Sequence, residues 1–191
     1  MEMRLKEAKC LTDSLFFDSD CISAFLWVGK ESLLVKLYPG RIVIPKPVYD
    51  ELSSPGIAHL KARVDVLISA KQVKLESISS DTETYAIYYQ LTSEPKVGHI
   101  IIGKGEAAAI AFAKNYNGIL ASNNLKDITV YIKEFELRHI TTCDILIEAL
   151  NNDYITEVQG NIIWASMLSK RRKLGAKSFT DYIQSKQKKQ L

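Results

Sequence analysis

The sequence predicts an α/β fold: three layers, α/β/α, around a central and mostly parallel sheet, followed by a helical C-terminal extension. Short apolar runs of the length of buried strands recur at 15–17, 41–44 and 119–121. Segments with the apolar spacing of helices follow these runs. Strands that alternate with helices favour a parallel sheet that is covered on both faces.

The composition bounds the organisation of the chain. The chain has 191 residues and is 47% hydrophobic, which suffices for one sizeable core. We expect one domain over residues 1–150 and a helical, basic extension over residues 151–191. The net charge is only +3, but a basic run, Lys170 to Lys173, lies in this extension.

The sequence also indicates a compartment. No apolar run reaches the roughly 18 residues of a membrane span, and the N-terminus has no secretory apolar region. Cys10, Cys21 and Cys143 are widely spaced, as is typical of reduced thiols. We therefore expect a cytoplasmic protein with no membrane partner.

In the first half of the chain, residues 1–13 fit a short helix and a loose arm equally well. The first strand leads into a helix that stops at Gly29. Pro47 favours the start of another helix after the second strand, and Asp81 is the expected cap of a later one. The helices expected here cover 21–28, 31–38, 48–52, 57–69 and 81–91, with a short strand over 73–78.

In the second half, small residues over 103–113 predict a helix that lies close to the sheet. A polar cluster over 122–127 directly follows the strand at 119–121. A last strand over 140–142 and a helix over 143–150 complete the expected domain. An apolar face predicts a further helix from Tyr154 to Leu168 that packs on the domain or on a second subunit.

Acidic residues follow several of these strands. Asp18, Glu51 and Glu106 stand at strand ends or helix starts, and Asp127 comes after the fourth strand. Parallel strands end at one rim of the sheet, so these carboxylates are expected to meet there. A cluster of carboxylates repels itself, and oxygen ligands suit Mg²⁺ or Mn²⁺. Such a cation serves phosphodiester hydrolysis.

Four segments, in order, resemble the motifs of the PIN-domain nucleases, including the VapC-type toxins of toxin–antitoxin pairs. They are Phe17-Asp18-Ser19-Asp20, Ile44-Pro45 through Asp50-Glu51-Leu52, Gly105-Glu106-Ala107-Ala108-Ala109-Ile110, and Ser122-Asn123-Asn124-Leu125-Lys126-Asp127-Ile128. The chain departs from the last motif at Asn123, where the family often has Arg or Asp, and at Ile128, where it has an aromatic residue. The resemblance covers roughly residues 15–150.

The resemblance implies a PIN-like fold and a metal-dependent endoribonuclease that cleaves single-stranded RNA. The acidic set that it implies is Asp18, Glu51, Glu106 and Asp127. The implied ligands of the metal, Mg²⁺ or Mn²⁺, are Asp18, Glu106 and Asp127. The residues that support the site are Asp20, Ser122 and Asn124. The resemblance also implies an RNA substrate, an antitoxin protein and a homodimer as partners. In a nuclease, the basic run of Lys170, Arg171, Arg172 and Lys173 would steer RNA phosphates.

Each of these residues also has a structural interpretation. Asp18 or Asp20 would cap the next helix, Glu106 would be a favourable first-turn charge, and Glu51 and Asp127 would be solvated. The three histidines and both tryptophans, Trp27 and Trp164, are expected to be structural.

Two other functions compete with the nuclease. Asp18-Ser19-Asp20 is also the D-x-D of a haloacid-dehalogenase-type phosphatase, but that chemistry needs a downstream acidic pair, and Asp144 stands alone. The third hypothesis is a catalytically degenerate PIN-like module that binds RNA or a protein.

Overall fold

The structure is a computed structural model that describes residues 13–188. The predicted segment 1–13 and Cys10 therefore lie outside the described residues, apart from Asp13. The strands within residues 13–188 are β1 (Leu15–Phe17), β2 (Ile42–Pro45), β3 (Lys74–Glu76), β4 (Ile119–Ala121) and β5 (Arg138–Ile140). The helices are α1 (Ser19–Trp27), α2 (Glu31–Leu37), α3 (Lys46–Glu51), α4 (Ala58–Ser69), α5 (Glu83–Thr92), α6 (Lys104–Asn115), α7 (Leu125–Glu134), α8 (Thr142–Asn151), α9 (Glu157–Ser169) and α10 (Phe179–Lys188).

The strands form one sheet in the order β3-β2-β1-β4-β5, and every pair is parallel. Phe16 pairs with Val43 on one side and with Leu120 on the other. This register aligns the carboxyl ends of the strands at one rim. The predicted three-layer α/β/α fold with a parallel sheet is confirmed.

Alternation along the strands divides the core between the two faces of the sheet. Phe16, Val43 and Leu120 pack with α5, α6 and α7, where Phe16 stacks on Phe112 with ring centroids 5.6 Å apart. Leu15 and Phe17 point to the opposite face and belong to the larger core cluster. Successive strand residues point to opposite faces, so a central strand that is buried on both sides is apolar throughout.

The helices after residue 150 belong to this larger cluster. Trp164, Met167 and Phe179 are fully buried, and Trp164 lies 5.7 Å from Phe179 between ring centroids. Gly160 leaves room for the Phe179 ring, which a Cβ at that position would overlap. The predicted helical extension is confirmed, although its first helix begins at Glu157 and not at Tyr154.

Several local predictions were wrong. The last strand ends at Ile140, because Thr141 and Asp144 form a capping box that starts α8. Thr82, and not Asp81, caps α5 by accepting a hydrogen bond from the Tyr85 amide. The sequence analysis did not predict α7 or α10. Of the apolar residues expected to form the buried face of α9, Ile163 and Met167 on that helix and Ile155 just before it are buried, but Val158 and Ile162 are 70% and 61% exposed.

The structure also bears on a membrane. Over residues 13–188, no helix has the length and the apolar character needed to cross one.

Candidate active site

The candidate site lies at the rim where β1 and β4 end side by side. Asp18 follows β1 and Ser122 follows β4, and the Asp18 amide donates to the Ala121 carbonyl at 3.0 Å. From β1 the chain builds β2 and β3 to one side and β4 and β5 to the other. In open α/β sheets such a switch in strand order leaves a crevice, and ligands bind there.

Asp18 caps a helix with one carboxylate oxygen, and its other oxygen is buried without a hydrogen-bond partner within residues 13–188. Its Oδ1 accepts a hydrogen bond from the Cys21 amide at 2.7 Å, as a cap of α1 does. The residue is 0% exposed, and Oδ2 has no hydrogen-bond partner within residues 13–188. The structural interpretation of Asp18 is therefore correct for one oxygen and leaves the other oxygen unexplained.

The surroundings of Asp18 disfavour its charge. Burial raises its pKa to about 7 from the ordinary value of 3.8, and the charges of Asp20 and Glu106 act in the same direction. The Ser122 hydroxyl and the Cys21 amide lower it, but they do not outweigh burial. A cation at Oδ2 would offset the part of the burial cost that these two hydrogen bonds leave.

Glu106 and Asp127 are joined by one amide group. Asn124 Nδ2 donates to Glu106 Oε1 at 2.6 Å and to Asp127 Oδ2 at 2.8 Å. Burial raises the pKa of Glu106, and the charges of Asp127 and Glu51 raise it further. Asn124 thus holds two of the predicted acids together, and Asp127 is not simply a surface residue.

Glu51 lies at the end of α3 and caps the start of α6. Its Oε1 accepts a hydrogen bond from the Gly105 amide at 2.8 Å, where the free N–H groups of a helix attract a carboxylate. A Cβ at residue 105 would lie 2.8 Å from Glu51 Cδ, so only glycine leaves this carboxylate in place. The sequence analysis quoted Gly105 as part of a motif and missed this requirement.

The predicted basic run divides in the structure. Arg172 reaches the rim, where Nη1 lies 3.0 Å from Asp20 Oδ1. Lys170 Nζ stands 5.7 Å from the ring centroid of Trp27, while Arg171 and Lys173 are exposed. The structure thus pairs Asp20 with Arg172.

Two residues that the sequence analysis did not select hold the loop after β4. The Asn123 side chain bonds Thr142 twice, with its Oδ1 accepting from the amide at 2.9 Å and its Nδ2 donating to Oγ1 at 2.9 Å. His139 Nε2 lies 2.8 Å from the Ser122 carbonyl oxygen. The departure of Asn123 from the family pattern therefore has a structural role.

The donors around this rim suit a hard cation. Over the described part of the chain, no three His, Cys, Asp or Glu side chains already stand in the arrangement of a metal site. The available donors are carboxylate, amide and hydroxyl oxygens, and one buried carboxylate oxygen, Asp18 Oδ2, is unpartnered. Such a set fits Mg²⁺ or Mn²⁺ in chemical type.

Comparison with known proteins gives one match. No curated protein and no solved structure matches the chain significantly. A family model described as "DUF3368: PIN domain" matches residues 14–186, which is nearly the whole chain and includes α9 and most of α10. The matched residues include all four acids of the candidate site, and the chain belongs to the PIN-domain family.

Proposed function

We propose that this protein is a cytoplasmic endoribonuclease that hydrolyses single-stranded RNA with the help of Mg²⁺ or Mn²⁺. PIN domains are in general nucleases that act on nucleic acid with divalent metal ions. The observation that carries the proposal is Asp18, a buried carboxyl at the switch point with one oxygen unpartnered and Glu106 as a charged neighbour. A helix cap alone needs neither the burial nor the second oxygen.

In this proposal Asp18, Glu106 and Asp127 hold the metal. Asp18 presents Oδ2 while its Oδ1 stays on the Cys21 amide, which fixes the carboxylate in orientation. Asn124 holds Glu106 and Asp127 through hydrogen bonds of 2.6 and 2.8 Å, which keeps together two of the carboxylates that would hold the cation. Glu51, at the end of α3, is held at the start of α6 by its hydrogen bond from the Gly105 amide.

The reaction requires no side-chain nucleophile. Water oxygen bonds to phosphorus, one phosphorus–oxygen ester bond breaks, and the proton of the water passes to solvent while the leaving oxygen is protonated. A bound divalent cation lowers the pKa of water and stabilises charge on the phosphate. The carboxylates of this chain would hold the cation at the rim. The burial of Asp18 would keep bulk water from weakening the attraction between its carboxylate and the cation.

The test is RNA cleavage by purified full-length protein in Mg²⁺ or Mn²⁺, with and without excess chelator. Asp18→Asn keeps the shape and the helix cap but removes the charge, so we expect cleavage to fall roughly 100-fold or more. Asp181→Asn, at an exposed position on α10, is the matched control and should cleave like the wild type.

Undiminished cleavage by Asp18→Asn, or cleavage that persists in chelator, would defeat this proposal. RNA binding by the wild type without any cleavage would favour the degenerate binding module. The phosphatase hypothesis has lost support, because Asp144 is occupied in the capping box of α8 and in an ion pair with Lys186.

The proposal extends to the protein partners. We propose a homodimer and an antitoxin protein as partners, and α9 supplies a candidate surface. Val158 and Ile162 on α9 are 70% and 61% exposed, and Tyr154 just before it is 48% exposed; an exposed apolar patch can mark a protein interface.

A further inference from the structure

Glu51 lies between two clefts, and each cleft has one aromatic ring, one cation and one carboxylate besides that of Glu51. The first cleft, of about 260 Å³, is lined by Trp27 and Arg172. The second, of about 520 Å³, is lined by Tyr88 and Lys104. Glu51 lines both of them. Each volume exceeds several times the roughly 30 Å³ that one water molecule occupies in the liquid.

The first cleft combines an apolar floor with one cation, Arg172, and two acids, Asp20 and Glu51. Leu52, Ile57 and Leu60 line it beside Trp27. Trp27 is only half-buried, in contrast with the fully buried Trp164, and the His59 ring meets it edge-on at 4.9 Å between centroids. Trp27 therefore packs against the core with part of its side chain and lines the cleft with the rest.

Two cations lie near Trp27, Lys170 over its ring and Arg172 along the same cleft. Lys170 stands 5.7 Å from its ring centroid. Arg172 donates through Nη1 to Asp20 and through Nε to the Lys170 carbonyl oxygen at 3.2 Å. Over residues 13–188 its second terminal nitrogen, Nη2, makes no hydrogen bond, so the guanidinium retains donors for a phosphate.

The second cleft repeats this pairing from other elements. Tyr88 comes from α5 and is half-buried, with its ring centroid 6.4 Å from that of Tyr85. Lys104 is exposed at the first position of α6 and makes no ion pair with any described residue. The sequence offers no sign that these two residues meet, because they lie on different helices.

We propose that these clefts are two nucleotide-binding subsites that seat the residues of a single RNA strand on either side of Glu51. A base stacks on Trp27 in one subsite and on Tyr88 in the other, and Arg172 and Lys104 take the neighbouring phosphates. Stacking on a side chain needs a base that is free of its own stack, which selects single strands over duplex. The proposal rests on the proposed function for the chemistry between the subsites, but not for the binding itself.

The test measures binding apart from cleavage. Full-length Asp18→Asn protein is titrated with a fluorescently labelled oligouridylate of about 12 nucleotides, and anisotropy gives the dissociation constant. Trp164 is fully buried, so quenching of the protein fluorescence by the unlabelled strand reports chiefly on Trp27. We expect quenching by the single strand and little by a duplex of the same length.

Variants in this background test each subsite. Trp27→Leu and Tyr88→Leu should each weaken binding roughly fivefold or more, in line with the stacking of one base, and Trp27→Phe should restore most of it. Arg172→Gln and Lys104→Gln should each reduce the slope of log K against log salt by about 1. Cooperative thermal unfolding checks that each variant folds.

Two control variants change residues outside the proposed subsites. Tyr89→Leu changes the neighbour of Tyr88, which is 42% exposed and bonds Glu94 instead of lining the cleft. Lys133→Gln changes an exposed lysine in the last turn of α7 that lines neither cleft. Both variants should bind the oligouridylate like the parent.

The outcomes separate this inference from the proposed function. If the wild type fails to cleave RNA but the binding pattern holds, the nuclease proposal falls and the subsites stand. If the wild type cleaves RNA while the Trp27 and Tyr88 variants bind the oligouridylate like their Asp18→Asn parent, the subsites are overturned alone. Equal binding of single strand and duplex also overturns them, as does binding of a protein partner to these clefts in place of RNA.

Discussion

At the scale of single residues, Asp18 has the largest conflict between position and charge. Its folded pKa of about 7 lies above the ordinary 3.8, because burial penalises the carboxylate. A raised acid pKa gives stability that is complete below about pH 4 and is lost as the pH rises through 7. The full rise corresponds to at most roughly 4 kcal/mol against the metal-free protein at pH 8.

The first prediction follows from this sign. Asp18→Asn should raise the free energy of unfolding of the metal-free protein at pH 8 and change it little at pH 4. Urea unfolding in chelator at both pH values measures the difference. The wild type should also gain stability from Mn²⁺ at pH 8, because a ligand that binds the folded state stabilises it.

Asp144 provides a control of opposite sign. Burial acts to raise its pKa, but the hydrogen bonds from Thr141 and Lys186 outweigh burial and leave its pKa lowered. Its stabilising effect is therefore present above the ordinary pKa and is lost on acidification. Asp144→Asn should destabilise the protein at pH 8, and a gain of stability there in both variants would contradict the account of Asp18.

At the scale of elements, the junction of α3 and α6 depends on one glycine. In Gly105→Ala, the new Cβ would meet the Glu51 carboxylate, which is the mobile end of a side chain and can shift away. Alanine favours the helix by about 1 kcal/mol, so we expect the stability to change by no more than about that amount. Loss of the hydrogen bond from Gly105 to Glu51 should nevertheless lower RNA cleavage.

Glu51→Gln is the matched variant for this junction. Glutamine keeps an oxygen for the Gly105 amide while it removes the charge. Cleavage and urea unfolding of both variants separate the two interpretations of Glu51. If Glu51→Gln cleaves RNA normally, Glu51 serves only as a cap of α6.

Most elements were predictable because their apolar residues lie in strong local patterns. β1 and β2 are buried at every position, and such runs have few interpretations. β5 was displaced by two residues because Arg138 and His139 are only half-buried and give no apolar run. α10 was missed because its polar sequence buries a single residue, Phe179.

The acids of the candidate site were selected by their motifs, but their partners were not. Arg172 and Asp20 are 152 positions apart, and Glu51 and Gly105 are 54 apart. No local period can encode contacts over such distances; the fold creates them. Trp27 packs against the core as predicted, but its apolar helix gives no sign of the cleft at its end.

At the scale of the whole molecule, the proposed centre is assembled from elements spread along the chain. Asp18 comes from the start of α1, Glu106 from α6 and Asp127 from α7, and the parallel sheet brings these elements to one rim. The C-terminal helices contribute Trp164 and Phe179 to the core under α1. The boundary at residue 150 stays a prediction, and within residues 13–188 the C-terminal helices share one core cluster with β1 and α1.

The central claim is that this rim binds a divalent cation through Asp18. Titration of full-length protein with Mn²⁺ at pH 8, followed by the paramagnetic resonance signal of free Mn²⁺, measures this binding directly. We expect the wild type and Asp181→Asn to bind equally, Asp18→Asn to bind roughly tenfold or more weakly, and wild-type binding to weaken below pH 7 as the carboxyl gains its proton. Equal Mn²⁺ binding by Asp18→Asn and the wild type would contradict the account.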